Sequence, residues 1–121
     1  MTASRIHLAI ACLFGAGGVA LWAWATHAGQ PSATIAAQML LIHAAAIVAL
    51  TAARKGGLLH QRVAMVLISA LALGVLLFAG DLAVRAVSGQ RLFPMASPIG
   101  GMLMIAAWLG LAVTSFWTKR A

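Results

Sequence analysis

A single acidic side chain, Asp81, stands in this chain against eight lysines and arginines. Arg85 follows it by four residues, the spacing that puts two side chains on one face of a helix. A carboxylate and a guanidinium so placed can pair, and an ionisable residue inside an apolar run is a candidate functional group whose partner should be named. His27, the dipeptide Ser97–Pro98 and the pair Gly100–Gly101 fall at ends of other apolar runs. Placed at one depth, His27, Asp81, Arg85, Ser97, Pro98, Gly100 and Gly101 form an expected polar cluster at one membrane rim. The start of the last run also offers free backbone N–H groups and the positive end of a helix dipole, which favour a nearby carboxylate. Two uses compete. One is a clasp, in which Asp81 ties the third run to the fourth and neutralises Arg85. The other is an outward-facing pocket for a small polar or anionic ligand or a lipid headgroup. The clasp is the simpler reading, because a perturbed carboxylate alone does not make a catalyst.

The second set is deeper. Gln38 and His43 interrupt an Ala/Leu/Ile stretch, and His43 lies about ten residues in, roughly 15 Å along a helix and near the middle of a bilayer. Such a histidine ordinarily bonds a neighbouring helix, with Ser69, Thr51 or a backbone carbonyl as candidates. The sharper alternatives are a proton relay and haem ligation. A bis-histidine haem needs two ligands at like depth on facing helices; His27 is at a rim and His43 is not, while His7 and His60 share the opposite rim. Catalytic zinc needs three converging ligands, and one carboxylate with scattered histidines does not supply them. No nucleophile–base–acid set and no phosphate loop is legible. Met95, Met102 and Met104 gather around the last run, where methionine is ordinarily filler and copper handling is the alternative. No catalytic residue, metal or cofactor is therefore expected.

The elements that must hold these residues follow from composition. The chain of 121 residues is 64% hydrophobic and 7% charged, where a soluble domain carries about 25% charge. Four apolar runs are each long enough to cross a bilayer, at about 6–28, 33–53, 63–88 and 98–117. Gly29-Gln30-Pro31-Ser32, Arg54-Lys55-Gly56-Gly57 and the double-proline segment 92–98 are the turns between them. Ser97 should cap the fourth helix with Pro98 in its first turn. The costly pair Gly100–Gly101 points to close approach of another backbone, as do Gly15, Gly17 and Gly18 on the first run. Trp22 and Trp24 suit an interfacial belt. Cys12, alone in its sequence, is expected to be a small packing residue. The first run is long for a signal-peptide core and is read as a retained span.

The expected fold is thus all-α: an antiparallel four-helix transmembrane bundle with short loops, a single integral membrane domain over 1–121. Arg5, Arg54, Lys55, Arg62, Lys119 and Arg120 fall on one side, and Arg85 and Arg91 on the other. That asymmetry places both termini in the cytoplasm. The same flanking pattern explains the net charge of +7 as a topology signal, and nucleic acid is not an expected partner.

The second half of the chain resembles a known family. Phe78-Ala79-Gly80-Asp81-Leu82, Ser88-Gly89, Ser97-Pro98-Ile99-Gly100-Gly101 and Trp108-Leu109 are similar to the motifs of domain-of-unknown-function family 423, whose eukaryotic relatives are called the transmembrane protein 256 family. Ala25-Thr26-His27-Ala28 and His43-Ala44 resemble its first-half motifs. The resemblance implies a small four-helix inner-membrane protein to whose family no activity is assigned. It departs at Asp81, where the family commonly has serine, and at Gln38, out of step with a polar residue usually three before the span-two histidine.

The expected function is that of a non-enzymatic protein of a bacterial inner membrane, acting as a packing, lipid-associated or accessory component. Its partners would be the lipid bilayer, further copies of itself or another membrane subunit. The alternative is an oligomeric small-solute or ion transporter or channel component with Asp81 and His43 along its polar path. A haem-binding membrane protein is the remote alternative.

Overall fold

The computed structural model describes residues 2–117, which form four α-helices and no strand. They are α1 (Ala3–Ala28), α2 (Pro31–Lys55), α3 (Gln61–Ser88) and α4 (Ala96–Thr114). The basic pair at 119–120 lies outside the described residues. All four helices are long and apolar enough to cross a membrane. Their outward faces carry Leu13, Val19, Ile42, Val66, Met102 and Leu109, each more than 55% exposed. Apolar exposure on that scale over every helix is untenable in water and ordinary in lipid.

Local signals set the helix ends. The Thr2 hydroxyl accepts the Arg5 N–H at 3.3 Å, and Pro31 stands in the first turn of α2, where its fixed φ suits the helix and its missing N–H costs nothing. That carries α2 two residues further back than its hydrophobic stretch. His60 Nδ1 accepts the Val63 N–H at 3.3 Å and so caps α3. Gly29 and Gly89 close α1 and α3 in the left-handed conformation, which glycine adopts without steric penalty. The start of α4 differs from expectation. Its cap is Met95, with φ of 71°, and Ser97 lies inside the first turn with its hydroxyl turned elsewhere. α4 also ends at Thr114, short of 117, in a turn through Ser115 and Phe116.

α2 and α3 form the central pair. α1 lies mainly against α2 and touches α3 lightly, α4 lies against α3, and no close backbone approach joins α1 to α4. Ile47, Ile68, Leu71 and Val75 are wholly buried in the core between them, with Phe14 and Met104 closing it from the flanks. Small residues make the close approaches. A Cβ on Gly100 would stand 2.6 Å from the Phe78 backbone nitrogen and 2.7 Å from the Gly74 carbonyl oxygen. A Cβ on Gly74 would meet the Gly100 oxygen at 2.9 Å. α3 and α4 thus touch backbone to backbone at one crossing, where only glycine fits. Gly101 is different: its added Cβ would find nothing nearer than Phe78 Cδ1 at 3.8 Å. On the other side Gly18 is held against Leu41 and Ala37, whereas Gly17 faces open space. Cys12, expected in the packing, is exposed instead.

Gly100→Ala should therefore force α3 and α4 apart and lower stability by about 1–3 kcal/mol, the usual range for overpacking. Gly101→Ala should leave thermal unfolding in detergent near wild type. Equal melting shifts for the two would contradict the crossing described.

Candidate functional site

Asp81 lies on α3, completely buried, seven residues before the helix ends. A carboxylate removed from solvent needs its charge countered and its lone pairs filled. Both are done inside one helix–turn–helix segment. Ser97 donates its hydroxyl hydrogen to Oδ2 at 2.7 Å, and the Leu92 backbone N–H donates to Oδ1 at 2.9 Å. Arg85 Nη2 stands 3.1 Å from Oδ2 and also donates to Ser97 Oγ at 3.3 Å. The ion pair is the i,i+4 pair legible in the sequence. Contrary to expectation, the helix-start N–H groups of α4 are not what the carboxylate meets: its backbone donor comes from the connecting turn, and its α4 donor is a side chain. This also explains why Ser97 does not cap α4.

Pro98 and Gly101 border a groove on the outer face of this cluster, together with Phe78, Arg85, Arg91, Ser97, Met102 and Ile105, with a volume of about 460 Å³. Gly100 does not line this groove; it lies in the crossing with α3. His27 does not join them. It is exposed on α1, and its Nδ1–H donates to the Ala23 carbonyl one turn back, at 2.7 Å.

His43 is buried on α2 and has two partners. Nδ1 faces the Met39 carbonyl oxygen at 2.9 Å, and the Trp108 Nε1–H donates to Nε2 at 3.1 Å. A carbonyl can only accept and an indole N–H can only donate. The proton is therefore on Nδ1, and both ring nitrogens are engaged. Neither is free to ligate iron or pass a proton. None of the expected partners is used: Ser69 and Thr51 are not bonded to it, the carbonyl is one turn back on its own helix, and the partner on another helix is the Trp108 indole. Gln38 is half-buried five residues before His43. The methionines diverge: Met104 is buried, while Met95 and Met102 are exposed. Among the described residues no group of three or more His, Cys, Asp or Glu side chains gathers as a metal site.

A further polar knot was not visible in the residue pattern. At the other end of the bundle Arg54 is buried and joins three helices. Its Nη2 donates to Ser4 Oγ at 2.8 Å and its Nη1 to Gln61 Oε1 at 3.5 Å, while Gln61 Nε2 donates back to the Arg54 carbonyl. Nearby, Ser69 gives its hydrogen to the Met65 carbonyl at 2.9 Å, so His7 Nε2–H donates to Ser69 Oγ at 2.8 Å. His7 and Ser69 border a groove of about 610 Å³ between α1 and α3. Its walls are otherwise apolar side chains. A basic residue at a helix end reads as a topology signal, and only the folded chain shows that this one is used internally.

The His43–Trp108 bond joins helices with no close backbone contact. Trp108→Phe removes the donor and leaves Nε2 unpaired, for an expected loss of about 0.6–1.7 kcal/mol, the range for interhelical hydrogen bonds in membranes. A melting midpoint in detergent equal to wild type would contradict a structural role for the bond.

Comparison with known proteins agrees with the motifs above. The family described as "Protein of unknown function (DUF423)" matches residues 12–101. A UPF0382 membrane protein of Staphylococcus haemolyticus (strain JCSC1435) is 44% identical over 44 residues, which is 36% of this chain and 36% of that protein. The matched stretch thus spans about a third of the relative's length. No solved structure matches the chain. With its family model matched across most of its length and four helices able to cross a membrane, this chain is a membrane protein that belongs to the DUF423 family.

Proposed function

We propose that the protein is a non-enzymatic integral membrane component, a packing, lipid-associated or accessory protein whose polar residues lock its own helices together. The observation that carries this reading is the occupancy of Asp81: both oxygens are bonded within the chain, to Ser97, Leu92 and Arg85. His43 is engaged at both nitrogens as well. Groups so fully used have little left with which to hold or transform a substrate. Conduction along Asp81 and His43 has weak support, because residues 70–80 of α3 and 98–107 of α4 contain no polar side chain between the two clusters.

In this reading the chain is one domain of antiparallel helices in a bacterial inner membrane, with both termini cytoplasmic. The register supports the antiparallel order: Ser4 meets Arg54 and Gly18 meets Leu41, while Asp81 meets Ser97 and Gly74 meets Gly100. The excess of basic residues on the side of Arg5, Arg54 and Arg62 supports the orientation. Self-association or a further membrane subunit would cover the outward faces.

The clasp is tested by substitution. Asp81→Ala should cost about 3 kcal/mol, the lower end for breaking a buried pair, since Arg85 is partly exposed and can turn to solvent. The double variant Asp81→Ala/Arg85→Met should recover part of the loss, because no unpaired charge is left. Detergent melting curves read both. An unshifted Asp81→Ala curve would overturn the clasp.

A further inference from the structure

We propose that the groove beside the clasp, between α3 and α4, is a binding site for an anionic phospholipid, with the phosphate held by Arg85 and Arg91 and an acyl chain lying against Phe78, Met102 and Ile105. The proposal rests on the reading of the protein as an integral membrane component. Charge is the first argument. Arg85 and Arg91 both line this groove, and Asp81 is the only acidic side chain of the whole sequence. Asp81 is ion-paired with Arg85, while Arg91 faces it only at longer range and forms no ion pair among the described residues.

Donor count is the second argument. A guanidinium carries five N–H groups. In Arg85 only Nη2 is engaged, on Asp81 and Ser97, and Nε is buried with no acceptor. A buried donor without an acceptor is costly, and phosphate oxygens suit a guanidinium better than any neutral group.

Shape selects an amphiphile over a free ion. Beyond the two arginines the groove is walled by Phe78, Met102 and Ile105. From Arg85 back to Phe78 is seven residues, about 10 Å of helix, so the polar mouth sits at the rim and the apolar floor runs into the hydrocarbon. A headgroup above and a chain below is the arrangement of a lipid at its own depth in the membrane. Arg91 is also placed where topology does not call for a basic residue, on the side poor in them. In the proposed orientation the lipid belongs to the outer leaflet.

The experiment uses the full-length protein in neutral detergent. Phosphatidylglycerol, phosphatidylcholine with the same chains, and inorganic phosphate are each titrated, and bound lipid is counted by native mass spectrometry alongside the melting midpoint. Phosphatidylglycerol should be retained and raise the midpoint, whereas phosphatidylcholine and phosphate should do neither. Arg91→Gln should weaken phosphatidylglycerol binding about fivefold, in line with one lost basic contact at an anionic surface, without altering the lipid-free midpoint. Arg62→Gln, an exposed arginine at the other end of α3, should change nothing. Equal retention of the two lipids would overturn the proposal, as would an effect of phosphate alone matching that of the lipid, or equal losses from Arg91→Gln and Arg62→Gln. The lipid-free melting of Asp81→Ala judges the clasp separately, so a failure of either is recognisable without the other.

Discussion

A carboxylate inside lipid cannot borrow water, so the geometry around Asp81 has to be complete. Its neutralising charge is one helical turn away on the same helix, but its two shortest hydrogen bonds come from residues eleven and sixteen positions later. Satisfying one side chain therefore fixes three things together: the direction in which the chain leaves α3, the path of the turn through Leu92, and the rotation of α4 that brings Ser97 inward. The left-handed Met95 fits this account. A residue with a side chain in that conformation carries strain, and the turn adopts it where α4 must start early enough to place Ser97 on the buried face.

Away from the clasp, the bundle is held by contact more than by polarity. Hydrocarbon tails are as apolar as leucine, so helices gain little by hiding apolar surface from lipid, and close approach decides which of them associate. The Gly74–Gly100 crossing and the Gly18–Leu41 and Gly110–Leu67 contacts are places where removal of a side chain permits it. They join α3 to α4 and α1 to α2. The central α2–α3 contact is filled by larger side chains, Ile47, Ile68 and Leu71 among them. The polar knots reinforce the same pairs at the ends: Asp81 with Ser97 at one, Arg54 with Ser4 at the other. His43 and Trp108 add the single described side-chain hydrogen bond from α2 to α4.

Much of this was open to inspection in the residue order, for physical reasons. Four long apolar runs have no stable form in water, and a carboxylate four residues before an arginine has an obvious partner. Gly100 was identifiable because a costly glycine early in a helix requires a neighbour to justify it; Gly74, alone in a long apolar run, gave no such hint until its partner was seen. The Leu92 N–H could not be anticipated, since side-chain patterns say nothing of where a loop points its amides. Trp108 stood out only as part of the family motif, and His43 only as a residue that should bond a neighbouring helix; their bond depends on the rotation of two helices that are not neighbours in sequence. His27 was grouped with Asp81 by depth alone, and depth does not specify which way a side chain faces. Ser97 before Pro98 has the form of a cap, but a buried carboxylate is a stronger claimant for the hydroxyl than an exposed N–H.

The order in which Asp81 acquires its partners bears on how the chain enters the membrane. During synthesis α3 emerges before Leu92 and Ser97 exist, and only Arg85 is at hand for the acid. An isolated third span would carry a half-dressed ion pair into the hydrocarbon, at a cost that falls sharply once the following twelve residues arrive. The two C-terminal spans are thus best delivered together, and the connection between them, residues 89–95, is short enough to keep them so.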